Sequence, residues 1–401
     1  MDDKKKAVMI LKEDLVQDSY IDLRVYNEAK SLVKNGFDVC VVCCNTKNDK
    51  LATEIYEGIQ IVRCQKTYSS NLVTRFIQKK YRCIKVAKLI CNNSPDVIHA
   101  HDLDTLLEGA MAKIMSGKRL IYDSHEDYPK YLRDDYPKFI NIKSNSLRKL
   151  IGEVLYIKGF LLEYLLLSLF VDRVITVNSS IANKFKKSCE TSIVMNCKSL
   201  SGLQNEINSN FRINFGFSDS DFIVVYVGGI FKGRGYEHLI GISSQLDERI
   251  KILIIGDGEL REELENIVSN ENINNVLFTG QVSYNDVLKY VAISDAGLIL
   301  FEASSNNLLG SPNKLFDYML AGIPIIASDF PVMKQIINEN ECGLLVNPLS
   351  TLELINAINC LRTNPYKKKE MGRKSREAAI KKYNWEIQEN ILLKLYNEIL
   401  N

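Results

Sequence analysis

The sequence predicts an α/β protein of two domains, each a parallel β-sheet covered by helices on both faces. Its 401 residues exceed one ordinary hydrophobic core, which suits domains of about 100–200 residues. Short β-rich apolar runs alternate with helical patterns along the whole chain. The composition, 46% hydrophobic and 25% charged, excludes disordered, collagen-like and disulfide-scaffold classes.

The apolar runs fall at 7–11, 37–44, 59–63, 97–100, 120–123 and 174–177, then at 222–227, 252–255, 276–278, 296–300 and 325–327. Such alternation builds βαβ units, whose sheets bind ligands beyond the carboxyl ends of the strands. A polar stretch near 198–220, carrying Ser and Asn, separates the two sets and marks the expected linker. The first domain is therefore assigned to 1–200 and the second to 201–384. Ile391, Leu392, Leu395 and Leu400 recur at roughly helical spacing, so 385–401 is expected to form an amphipathic helix that packs back on the first domain.

The chain opens MDDKKKAVMILKED, where the apolar run 7–11 is too short for a signal-peptide core, so a cytosolic location is expected. The ten cysteines are scattered. Cys40 and Cys43 stand three apart on a strand-like run and face opposite ways, which disfavours zinc. Residues 1–205 hold 32 Lys and Arg against 24 Asp and Glu, whereas 206–401 hold 19 against 25. The basic half either draws anionic lipid or is a solvated charged surface. No nucleic-acid recognition module accompanies it.

Two stretches bear on membranes. Within 75–90, Arg75, Lys79, Lys80, Arg82, Lys85 and Lys88 interleave with Phe76, Ile77, Tyr81, Ile84 and Ile90. This predicts a basic helix whose apolar stripe faces either an anionic membrane or the domain core. The run LIGEVLYIKGFLLEYLLLSLFVDRVITV is very apolar, but Glu153, Lys158 and Glu163 leave no segment of about 20 residues able to span a bilayer. It reads as a buried helix leading into a strand.

The most specific chemistry lies in SPNKLFDYMLAGIPIIASDFP. Ser311 is expected to cap a helix whose first position is Pro312, a residue suited to that place because its missing N–H would be unpaired anyway. The amides of the opening turn, around Asn313 and Leu315, then make an anion site fit for a diphosphate. Lys314 opposes the helix dipole unless a phosphate sits beside it. One turn on, Asp317 can accept hydrogen bonds from ribose hydroxyls.

In VVYVGGIFKGRGYEHLI a strand runs into a loop with Gly228, Gly229, Gly233 and Gly235, and with Lys232 and Arg234. Glycines let backbone approach a phosphate, and a guanidinium can bind two of its oxygens, so Arg234 is the main diphosphate cation expected. Gly256, Asp257 and Gly258 follow another strand and are expected among the residues that bind the donor diphosphate. Arg261 takes the third glycine place of G-x-G-x-x-G there, which disfavours a nicotinamide cofactor. Gly280, Gln281 and Val282 follow a third strand, where backbone groups can read a nucleobase edge. In the first half, VIHAHDLDTL and LIYDSHEDYP end strands with His99, His101, Asp102 and Asp104, then Asp123, His125, Glu126 and Asp127. These groups can orient sugar hydroxyls or assist proton transfer, and metal ligation by them is disfavoured.

Together these motifs resemble family 4 of retaining glycosyltransferases, whose fold is the GT-B pair of Rossmann-like domains. The resemblance runs from DLRVYNEAKSLVKNGFDVCVV through HAHDLDTL, YDSHEDYP, DRVITVN, GGIFKGRG, IIGDGEL, VLFTGQV and SPNKLFDYMLAGIPII to YNWE. YDSHE with GRG and PNKLF resembles a branch associated with capsule, exopolysaccharide or O-antigen assembly. It implies a metal-independent transferase, with no cofactor beyond its nucleotide-sugar substrate, that glycosylates a saccharide or lipid-linked acceptor in the cleft between its domains with retention of configuration. The N-terminus and the basic helix 75–90 together give the expected location, cytoplasmic and peripheral on the inner face of the membrane. The resemblance places Arg234 with Lys314 or Lys232 on the diphosphate and His125 near the reacting sugar, and the strand-end clusters add Glu126 and Asp102 as candidate catalytic residues. Two departures stand out. Gly229 occupies the family's first cation position, and Leu309 with Asp317 replaces the Glu-x7-Glu pair, leaving Glu302 as a substitute contact to the transferred sugar. An inactive subunit that binds a partner glycosyltransferase and a nucleotide-sugar epimerase on the same fold remain open alternatives.

Overall fold

A computed structural model describes residues 4–17, 20–46, 51–65, 72–134, 136, 144–201 and 211–401. The chain divides into two compact units, residues 1–195 with 388–401 and residues 196–387. Residues 202–210 of the expected linker lie outside the described residues.

The first unit runs β1 (Lys6–Leu11), β2 (Val16–Gln17), β3 (Tyr20–Ile21), α1 (Leu23–Lys34), β4 (Asp38–Thr46), β5 (Thr53–Tyr56), β6 (Ile59–Gln65), α2 (Leu72–Asn92), β7 (Val97–His101) and α3 (Leu103–Ser116). It continues through β8 (Arg119–Ser124), α4 (Tyr128–Asp134), α5 (Asn145–Phe170), β9 (Arg173–Thr176), α6 (Ser179–Phe185) and β10 (Thr191–Ile193). Its main sheet has the order β10-β9-β8-β7-β1-β4-β6-β5, parallel except where β5 meets β6. The order runs outward on both sides from β1, so the crevice beyond the carboxyl ends of β1 and β7 is a topological switch point.

The second unit contains α7 (Phe211–Asn214), β11 (Phe222–Val227), α8 (Tyr236–Ser243), β12 (Ile250–Ile255), α9 (Arg261–Asn270), β13 (Val276–Gly280), α10 (Tyr284–Ala292), β14 (Ala296–Ile299) and α11 (Ser305–Leu309). Then follow α12 (Asn313–Ala321), β15 (Ile325–Ser328), α13 (Pro331–Asn340), β16 (Gly343–Val346), α14 (Thr351–Thr363) and α15 (Pro365–Lys381). The closing helix α16 (Trp385–Leu400) starts in this unit, and its residues from Gln388 onward belong to the first. The sheet is wholly parallel in the order β13-β12-β11-β14-β15-β16, with its switch point between β11 and β14. The runs FIVVYV and IKILII are almost entirely buried, as strands covered by helices on both faces must be.

Helices α2, α3 and α5 form one layer on the first sheet, where Val86, Ile90, Leu106, Leu166 and Leu167 meet Ile10, Val42 and Ala100. Here α5 departs from the buried helix expected of its sequence. It buries Gly152, Gly159, Glu163, Leu166 and Leu167 and turns large apolar side chains outward, Leu150 at 62% and Leu161 at 58% exposure. The inward face is small because α4 comes close: a Cβ on Gly152 would stand 2.4 Å from the Arg133 carbonyl oxygen. In α2, Cys83, Val86, Ala87 and Ile90 face the core, while Tyr81, Ile84, Lys85 and Lys88 are exposed. The side chains of Arg75, Phe76, Ile77, Lys79 and Lys80 lie outside the described residues. No helix among the described residues is long and apolar enough to cross a membrane.

Candidate active site

Strand β11 ends at the switch point of the second unit and leads into the glycine-rich loop. Gly228 adopts φ 124°, a region that favours glycine, and a Cβ there would lie 3.1 Å from Lys314 Nζ. Gly256 adopts φ 142°, and its Cβ would stand 2.1 Å from the Gly228 carbonyl oxygen. The two loops are stitched together, since Gly228 N donates to Ile255 O at 2.8 Å and Ile230 N to Asp257 O at 2.9 Å. Gly258 packs just as tightly on Ile230. These contacts make Gly256 and Gly258 shapers of the β11 loop. The exposed Asp257 carboxylate accepts from Gly258 N and pairs with Arg261 at 3.2 Å.

Ser311 does not cap α12. Pro312 is extended, with φ −69° and ψ 142°, so the helical path opens one residue later, at Asn313, and no side chain caps it. Leu315 N donates to Pro312 O at 2.9 Å, which leaves the amides of Asn313 and Lys314 at the positive end of the helix. Lys314 is 7% exposed, its Nζ 4.1 Å from the Tyr226 ring centroid and 5.1 Å from that of Phe301. The Arg234 guanidinium lies 4.4 Å from the same Phe301 ring. Neither cation forms an ion pair among the described residues. Burial and then Arg234 hold the Lys314 ammonium well below the usual lysine range, with Asp317 opposing weakly. Two cations over one aromatic floor, with no acid between them, repel until an anion arrives.

The other expected residues of this unit lie around that pair. Asp317 is buried one turn into α12 and pairs with Lys198 at 3.3 Å; burial pushes its carboxyl up while Lys198 opposes. Glu302 N donates to Gly233 O at 3.0 Å, fastening the segment that follows β14 to the loop that carries Arg234. Lys232 is exposed. At Gly229 a Cβ would meet the Phe231 ring at 2.3 Å, so the ring fills the place where the related family carries a cation. Gly280 ends β13, two strands from β11, with Gln281 and Val282 just beyond it, and Gly280 O accepts from Gly256 N at 3.0 Å.

In the first unit, β7 and β8 bring His101 opposite Asp123. Helix α1, capped by the Asp22 side chain, aims Arg24 into the same place. Its Nε and Nη2 donate to the two Asp123 oxygens at 2.8 and 2.7 Å, Nη1 donates to Val194 O at 2.8 Å, and Glu28 lies 3.2 Å away. His125 Nε2 sits 3.2 Å from Asp123, and its Nδ1 sits 3.0 Å from Asp102. The His125 amide also donates to Asp102 at 3.0 Å. Asp102 itself holds φ 61° and ψ 166°, a strained backbone for a residue with a Cβ. Glu126 joins the turn through its carbonyl, which accepts from Ser124 Oγ and Tyr128 N.

These contacts set the charge states. Burial opposes ionisation of His125, yet Asp102 and Asp123 raise its pKa well above the ordinary histidine value. Burial likewise works against Asp123, and Arg24 with His125 overrides it, holding the carboxylate well below its usual range. Burial drives His99 and His101 down, leaving both neutral, and pushes Glu28 up to about 8. The His99 ring meets the Tyr396 hydroxyl of α16 at 2.8 Å. Glu28, His99, His101 and Asp123 have ligand atoms within 4.8 Å of one another, a donor set that suits a metal. The Arg24 guanidinium already serves both carboxylates, and a divalent ion would sit against that charge.

Sequence reasoning missed Arg24, Glu28, Tyr396, Lys198 and the aromatic floor of Tyr226 and Phe301. Arg24 and Glu28 carried one available signal, two charges four residues apart on the side of α1 that also bears the buried Val25 and Leu32.

Two α/β units, each with a parallel sheet covered by helices, are the content of the GT-B class of fold. Residues 22–192 match the model described as Glycosyltransferase Family 4, and residues 208–378 match Glycosyl transferases group 1. The two matches follow one another along the chain and together take in most of it, and its fold is of the GT-B type. An uncharacterized glycosyltransferase, MJ1069 of Methanocaldococcus jannaschii, is 25% identical over 44% of this chain and 45% of its own. The chain thus spans about half the length of the first curated relatives it matches. N-acetylgalactosamine-N,N'-diacetylbacillosaminyl-diphospho-undecaprenol 4-alpha-N-acetylgalactosaminyltransferase of Campylobacter jejuni is 24% identical over 75% of this chain and 76% of its own. Among solved structures, Anabaena Alr3699/HepE in complex with UDP superposes with a TM-score of 0.75 at 15% identity, over 98% of this chain and all of that one.

Proposed function

We propose that the protein transfers a sugar from a nucleotide-sugar donor to a saccharide or lipid-linked acceptor, with retention of configuration and without a metal. The observation that carries this reading is the Lys314–Arg234 pair, in no ion pair among the described residues and set beside the uncapped start of α12. A diphosphate supplies the missing charge. In the reaction, the bond from the anomeric carbon to the departing diphosphate breaks through an oxocarbenium-like transition state, the acceptor oxygen joins the same face, and the acceptor's proton passes to the departing diphosphate oxygen. Lys314, Arg234 and the two helix amides stabilise the departing oxyanion, the preorganised electrostatic effect that a metal would otherwise provide. His125, held protonated with both ring nitrogens on Asp102 and Asp123, serves as a fixed positive charge beside the sugar rather than as a base. Asp317 receives the ribose, Gly280–Val282 receive the base, and Glu302 contacts the transferred sugar. UDP bound to the similar Anabaena protein and the undecaprenol-linked acceptor named for the Campylobacter relative support the donor and acceptor classes. We place the enzyme in cell-surface polysaccharide assembly on the cytoplasmic side, with peripheral membrane contact that includes residues 75–90.

Calorimetry with UDP, GDP and ADP should register binding of at least one. Arg234→Ala should slow transfer roughly 10²-fold or more while the circular dichroism spectrum is unchanged. Near-wild-type turnover in that variant would remove Arg234 from the diphosphate. Gly228→Ala should weaken nucleotide binding roughly tenfold, since a left-handed alanine costs about 1–2 kcal/mol and its Cβ crowds Lys314 Nζ. Equal affinity of the variant and the parent would show that the loop gives way without cost.

A second reading, an inactive subunit serving a partner glycosyltransferase, is favoured by Leu309 and by the Phe231 ring at Gly229. It predicts nucleotide binding without turnover by the pure chain. Product formed with no acceptor present would instead indicate an epimerase.

A further inference from the structure

The outward face of α5 is unlike that of an ordinary surface helix. Leu147, Leu150, Val154, Ile157, Leu161 and Leu165 recur every three or four residues and are each 43–62% exposed, a ridge about 27 Å long. Phe160, Leu162, Tyr164 and Leu169, also exposed, broaden it on both sides. The polarity of the helix is inverted, with glycines and the paired Glu163 inside and the large apolar residues outside. Soluble chains do not leave so continuous an apolar face in water without a purpose.

The neighbours of α5 say what covers it. Helix α3 adds the exposed Ile114 and Met115 to the same layer, and α2, on the far side of α3, adds Tyr81, Ile84, Lys85 and Lys88. Exposed Lys149 and Lys158 lie on α5 itself, against one exposed acid, Glu153. The face therefore combines a broad apolar ridge with a basic margin, in the half of the sequence that carries the excess of Lys and Arg. A second copy of the chain would bring the same positive excess against itself. The surface that complements both features is an anionic bilayer.

We infer that the α2–α3–α5 layer lies flat on anionic lipid, with the α5 ridge sunk between the headgroups and Lys85, Lys88, Lys149 and Lys158 meeting phosphates. This rests on the peripheral-membrane part of the function proposed above and names its principal contact as α5, not residues 75–90.

The test is co-sedimentation of the full chain with vesicles of phosphatidylcholine mixed with phosphatidylglycerol, and with phosphatidylcholine alone. The wild type should pellet with the mixed vesicles at low salt and much less with phosphatidylcholine. Leu150→Glu with Leu161→Glu should reduce the bound fraction at least roughly tenfold. Both residues are exposed, so an unchanged melting temperature and unchanged nucleotide affinity check that the variant is folded. Lys149→Glu with Lys158→Glu should weaken binding to the mixed vesicles selectively. Equal pelleting of the leucine variant and the wild type would overturn the inference; if charge reversal at Lys85 and Lys88 then abolished binding, α2 alone would be the membrane contact. Absence of wild-type binding at low salt would overturn both readings. A dimer in sedimentation velocity that the leucine changes dissociate, with no vesicle uptake, would assign the face to a second copy.

Discussion

Lys314→Met is expected to raise the melting temperature of the ligand-free protein while abolishing sugar transfer. The ammonium is buried over Tyr226 and Phe301, beside the Arg234 guanidinium, with no acid partner among the described residues. Replacing buried charges by apolar side chains of similar volume stabilises proteins by roughly 1–4 kcal/mol, and methionine matches the lysine stem closely. For a unit of this size each kcal/mol moves the midpoint by about 2–4 °C. The sign with pH follows from the lowered lysine pKa. Between its folded value and the ordinary value of about 10.4 the unfolded chain binds more protons, so wild-type stability rises with pH there and the variant lacks that rise. With nucleotide the order reverses, because a ligand at about 100 times its Kd adds roughly 2.7 kcal/mol to the protein that binds it. Transfer should fall by at least roughly 10²-fold, as on losing an oxyanion donor. Differential scanning calorimetry with and without UDP, alongside a transfer assay, checks both halves. A destabilised variant that still binds nucleotide would mean that Lys314 is a structural cation seated on its aromatic rings.

Much of this site was legible because its parts are contiguous in sequence. PNK at a helix start and GRG after a strand each declare a local geometry, and the strand 222–227 was read to its ends. The short strands β5, β10 and β16 escaped notice for identifiable reasons. TEIY alternates between exposed and half-buried at a sheet edge, TSI is three residues long, and GLLV opens on glycine. The inversion of α5 was illegible because periodicity locates an apolar face without saying which way it points. Glycines at 152 and 159 settle that, and only the proximity of α4 shows why. The first-unit network was the least readable part. Arg24 finds Asp123 99 residues later, and His99 finds Tyr396 297 residues later, separations over which no local pattern carries information.

That network supports the second large expectation, that Asp123→Asn destabilises the first unit by about 3–5 kcal/mol and releases the His125 proton at lower pH. Asp123 is fully buried and accepts both forks of Arg24 while facing His125 and His101. An amide in its place leaves a buried guanidinium half served and turns an N–H toward groups that also donate, the situation in which breaking a buried pair costs most. Asp102, the partly exposed partner of His125, should cost less when changed to Asn, because it neutralises no buried arginine. The pH signs differ for the two groups. The raised pKa of His125 contributes stability that is fully present below its unfolded value of about 6.5 and is lost as pH rises through the folded value. The lowered pKa of Asp123 contributes stability present above about 3.9 and lost as pH falls through its folded value. Removing Asp123 should therefore flatten the acid limb and move the loss on the alkaline side to lower pH. Imidazole resonances followed by NMR in the parent and the variant read this directly. If His125 titrates alike in both, the two carboxylates do not share its proton, and the charge assigned to the imidazole must be held by Asp102 alone.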